Sequence, residues 1–213
     1  MSQVKFSMTQ LAGAALMLAL AAAGSAQAAT GGQLRSIGGG SAVIAALPGT
    51  TLTQLVDVTG VVSYDEYGLP GNVVLSFNVG ADALVTGIGW DVNLTAYDPS
   101  WLSELTVAFE DSGQTTGVLL SPGTLDEPGT ASYSSGGVLA LADYGLEFNV
   151  GADGVLRLEF FEGYGDGLLP DGMWNSGTLT IQTASVVPEP ATYGLMGLGL
   201  LGVLGAARRR RTH

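Results

Sequence analysis

The sequence has no cysteine, one histidine and one lysine. Without cysteine there is no disulfide framework, no thiolate metal site and no thiol nucleophile. The histidine is His213, the last residue, and the lysine is Lys5, near the start. Histidine triads, Schiff-base lysines and most zinc sites are thereby excluded from the body of the chain. Arginine is almost as scarce there. Between Ala29 and Val187 only Arg35 and Arg157 stand against 18 of the 19 acids, a net charge of −16. Such a surface repels phosphate backbones, so nucleic acid is not an expected partner. No glycine-rich phosphate loop with lysine and no dinucleotide fingerprint is present. Paired carboxylates are the remaining catalytic material, Glu159 with Glu162 or Asp166 with Asp171, and a glycosidase needs such a pair. Acids on loops and outer strand faces are more often simply solvated, so the chain is not expected to be an enzyme.

The ends carry the clearest signals. Lys5 precedes an apolar run from Leu11 to Ala23, and Ala26 and Ala28 supply the small residues at −3 and −1 of a signal-peptidase site. Residues 1–28 are expected to be a signal helix cleaved after Ala28. At the other end, Pro188, Glu189 and Pro190 precede an uncharged apolar stretch, Tyr193 to Ala207. Arg208, Arg209, Arg210 and Arg211 follow it. The prolines hold their neighbours extended, the form in which protease clefts take substrate. The arginines hold their end in the cytoplasm by the positive-inside rule. Snorkelling arginines lengthen the reach of a short span, so residues 193–207 are expected to cross the membrane as a helix.

Pro-Glu-Pro, a Gly/Leu-rich apolar segment and a terminal arginine cluster, in that order, resemble the PEP-CTERM sorting signal. The resemblance covers about residues 187–211 of an expected sorting tail over residues 187–213. It implies recognition by exosortase, a membrane-embedded cysteine transpeptidase-like enzyme of Gram-negative bacteria that make extracellular polysaccharide. It also implies an inner-membrane-anchored precursor and a final place at the cell surface or in the extracellular matrix.

Residues 29–186 lack long helical periodicity. Short alternating runs separated by Gly, Pro, Asn and Asp predict strands. Val73, Leu75, Phe77 and Val79 share one face, as do Ile88, Trp90, Val92 and Leu94, with Asp91 and Asn93 opposite. Leu105, Val107 and Phe109 repeat the pattern, as do Leu156, Leu158 and Phe160, alternating with Arg157, Glu159 and Phe161. Strands with one apolar face each need a second sheet to cover them, so the expected fold is an all-β, jelly-roll-like β-sandwich. Trp174 is expected just before the last strand. Phe77 to Asp82 and Phe148 to Asp153 are the same hexapeptide, FNVGAD, and read as repeated strand-to-turn chemistry rather than twin ligand loops.

Calcium is the expected ligand, if any: Glu162, Asp166 and Asp171 lie in one glycine-rich acidic loop, although the spacing is not that of an EF-hand. The function expected is a structural or polysaccharide-associated binding protein of the envelope or biofilm matrix. A carboxylate-dependent glycan hydrolase or lyase is the alternative. An ice binder, from Thr51-Leu52-Thr53 and Thr178-Leu179-Thr180, ranks last.

Overall fold

The computed structural model describes residues 31–38, 51–165, 167 and 169–185. The signal helix, with Ala26 and Ala28, lies outside the described residues, as do Asp166 and the whole tail from Pro188 to Arg211. Among the described residues no helix is long and apolar enough to cross a membrane.

Among the described residues twelve strands form two antiparallel sheets. In chain order they are β1 (Gln33–Ile37), β2 (Thr51–Asp57), β3 (Val61–Ser63), β4 (Val73–Asn78), β5 (Leu84–Ala96) and β6 (Leu105–Asp111). They continue as β7 (Gly117–Ser121), β8 (Gly129–Ser134), β9 (Leu139–Ala140), β10 (Phe148–Asn149), β11 (Val155–Glu162) and β12 (Gly172–Ala184). The first sheet has the order β1-β7-β6-β11-β4, and the second runs β10-β5-β12-β2. In addition, β3 pairs with β12, and β8 and β9 pair with β5.

The expected alternation is what buries the core. Leu105, Val107, Phe109, Leu156, Leu158 and Phe160 of the first sheet are fully buried, as are Ile88, Leu94, Trp174 and Leu179 of the second. Phe160 meets Trp174 edge-on across the sandwich, ring centroids 5.2 Å apart at 84°. Such a pair adds about 0.5–1.5 kcal/mol beyond its area burial. Trp174 is therefore not ahead of the last strand but inside it. The register of β12 against β5 shifts between Trp174 and Ser176, a local irregularity that breaks the sequence alternation there.

The two FNVGAD segments lie against each other at one end of the sandwich. The Asp82 amide donates to Gly151 O at 2.7 Å, and the Val79 amide to Gly154 O at 2.9 Å. Gly80 and Gly151 both adopt positive φ, which their lack of Cβ permits. The repeat is turn chemistry, and the two turns form one seam.

Candidate functional site

The opposite end of the sandwich gathers polar groups. Strand parity places Glu162, the last residue of β11, on the same side as Leu158 and Phe160, pointing between the sheets. Its register partner on β6 is Leu105. Across the gap, Ser63 ends β3 opposite Gly172 of β12. A Cβ on Gly172 would lie 2.6 Å from Leu105 Cδ2, so the Gly172 and Ser63 positions face inward onto the same region. Asp171 precedes β12, and Ser100 sits in the turn between β5 and β6. All four are buried: Ser63 is 0%, Glu162 1%, Ser100 2% and Asp171 2% exposed.

Backbone bonds hold these side chains in place. The Asp171 amide donates to Ser63 O at 3.1 Å, and the Tyr97 amide to Asp171 O at 2.8 Å. The Glu162 amide donates to Asp65 O at 2.9 Å, and the Gly163 amide to Glu104 O at 2.9 Å. Among the described residues, neither Glu162 oxygen nor Ser63 Oγ completes a hydrogen bond of ordinary geometry. Burial pushes the Glu162 carboxyl up to about 9, reinforced by the adjoining Asp171 carboxyl and by Glu104, with the Ser100 hydroxyl acting the other way. Two carboxyls taken out of water side by side cannot both ionise cheaply.

Two open depressions flank this buried group. One, of about 230 Å³, is lined by Tyr64, Asp65, Glu66, Leu69 and Asp171, among others. The other, of about 410 Å³, is lined by Pro99, Trp101, Glu104 and Tyr164. Its two aromatics are exposed, Trp101 by 43% and Tyr164 by 66%. Glu104 accepts the Trp101 amide at 2.7 Å and so fixes the turn that presents the indole.

A second polar cluster lies on the outer face of the first sheet. Arg157 donates to Glu110 and, at 2.6 Å, to Glu159. Tyr67 donates to the other Glu110 oxygen. Asn72 Nδ2 and the Gly68 amide each reach Glu159 Oε1 at 2.7 Å. The Tyr67 ring packs on Phe161 at 5.2 Å. Glu110 and Glu159 are 0% exposed, because residues 64–72 cover the face. Burial pushes the Glu110 carboxyl up, against the lowering effect of its Tyr67 and Arg157 partners. These groups satisfy one another, so the cluster pins a loop.

The sequence-predicted residues fare differently. Glu162 and Asp171 come together, while Asp166 lies outside the described residues. Glu159 and Glu162 do not form a pair: residues three apart on a strand point to opposite faces. Glu159 is not solvated either, as its oxygens are held by Arg157, Asn72 and Gly68. Ser63 and Ser100 carried no signal in the sequence, because only long-range register brings them to Glu162. The two T-x-T pairs are out of step, with Thr51 and Thr53 opposite Ala184 and Gln182, and Thr178 and Thr180 opposite Asp57 and Leu55.

Comparison with known proteins places residues 186–211 in the PEP-CTERM protein-sorting motif. The motif marks the chain as an exported protein sorted by exosortase to the cell surface. No curated protein matches the chain. Among solved structures it is similar to one titled "Structure of infectious bursal disease virus Gt strain", at 14% identity and a TM-score of 0.26. That match covers 71% of this chain and 33% of the other, so the chain spans about a third of its length. At that TM-score it carries no argument.

Proposed function

We propose that this exosortase-sorted, exported protein acts at the cell surface or in the surrounding matrix as a non-catalytic binder of extracellular polysaccharide. The observation that supports this is the exposed Trp101 and Tyr164 pair beside Glu104 and Pro99. Pyranose rings offer an apolar C–H face and a polar hydroxyl rim. Aromatic faces take the first, and a carboxylate such as Glu104 accepts hydrogen bonds from the second. The inner-membrane precursor, processed by signal peptidase and then exosortase, supplies the route to that location.

The test is retention of the full-length chain, in mild detergent, on immobilised polysaccharide from the producing cells. Wild type binds, and Trp101→Ala with Tyr164→Ala does not. Equal retention of both, or depolymerisation of the polysaccharide by wild type, would sink the reading.

A further inference from the structure

Apart from whether the aromatic face binds glycan, the buried end of the sandwich has a chemistry of its own. Glu162 and Ser63 enter it from opposite sheets, Asp171 from the segment leading into β12, and Ser100 from the turn between β5 and β6. The group is oxygen only: two carboxyls and two hydroxyls, with no nitrogen or sulfur ligand. Two carboxyls buried side by side cost several kcal/mol if both ionise, unless a proton or a cation sits between them, and the buried Ser63 Oγ completes no hydrogen bond of ordinary geometry.

We infer that Glu162, Asp171, Ser63 and Ser100 hold a calcium ion that ties together the two sheets, the turn around residues 97–104 and the start of β12. Calcium accepts about six to eight oxygens in irregular geometry and takes carboxylates in either mono- or bidentate fashion. Magnesium demands a stricter octahedron than four side chains entering from separate segments supply. Among the described residues two carboxylates converge rather than three, so hydroxyls and water complete the shell. The ion offsets the repulsion between the two carboxyls, and the −16 charge of the body raises the local concentration of divalent cations. The alternative occupant of the same space is a single proton shared by Glu162 and Asp171.

Calorimetric titration of the full-length, chelator-stripped chain separates the two. Calcium is expected to bind one equivalent and raise the melting temperature, with magnesium much weaker. Glu162→Gln keeps the shape of the neutral acid and so folds, but binds calcium at least about tenfold more weakly. Ser63→Ala retains the fold and weakens binding by a smaller factor. Neither heat nor a melting shift at several times about 1 mM calcium, the weak end of extracellular sites, would overturn the site. Wild-type affinity in a folded Glu162→Gln chain would do the same.

Discussion

Arg157 is one of two bases in the acidic body, and replacing it tests how the loop over the first sheet is held. Arg157→Met keeps the aliphatic stem but removes the charge that faces Glu110 and Glu159. Both carboxyls are 0% exposed. Glu159 keeps Asn72 and the Gly68 amide, and Glu110 keeps Tyr67, but no positive charge remains between them. Removing one partner of a buried ion pair costs about 3–5 kcal/mol. For a domain of this size each kcal/mol lowers the melting temperature by about 2–4 °C, so a fall of about 10 °C is expected. Thermal and urea unfolding followed by tryptophan fluorescence reads both numbers. The triple variant Arg157→Met, Glu110→Gln, Glu159→Gln removes the stranded charges and should recover most of the loss. A single variant that loses less than about 1 kcal/mol, or a triple variant no better than the single one, would show that the cluster behaves as an exposed surface pair.

Gly172→Ala brings a Cβ to 2.6 Å from both Leu105 Cδ2 and Thr95 O. The carbonyl cannot swing aside as a side chain can, so a loss of about 1–3 kcal/mol is expected in urea denaturation. A neutral variant would mean that β12 sits farther from β6 at this end than described. In chelator, the folded chain keeps the Glu162 proton up to about 9, with Asp171 and Glu104 facing it, while the unfolded chain releases it near 4.5. That proton favours the fold below 4.5. The advantage is lost as pH rises toward 9, at no more than about 1.4 kcal/mol per pH unit. The stability of wild type relative to Glu162→Gln, which does not titrate there, should therefore fall between pH 5 and 9, and a flat difference would contradict the burial of this carboxyl.

Much of the fold was legible because burial in a sandwich follows a period of two. Ile88 to Leu94 and Leu156 to Phe160 announce both the strands and the faces they bury. The same logic misled at Glu159. Alternation identifies the side away from the core, but not whether a loop lies over it, and residues 64–72 cover that side. The acidic loop was visible as composition, yet its partners were not. Ser63 comes to the Glu162 end of the sandwich only through the pairing of β3 with β12 and the packing of β12 on β6, and neither leaves a local trace. The sorting motif was legible because a peptide motif is read in linear order and needs no tertiary context.

The position of β12 has a consequence for the order of events during export. This last strand is central, with β5 on one side and β2 on the other, and the sorting motif begins at residue 186, two residues after it ends. A chain that leaves the membrane from its N-terminus therefore exposes the unpaired edges of β5 and β2 until nearly all of it has emerged. Completion of the fold and delivery of the sorting signal are adjacent in the chain and close together in time. A pull applied at the end of β12 would load the two longest ladders of the second sheet in shear, because that strand lies in the middle of the sheet.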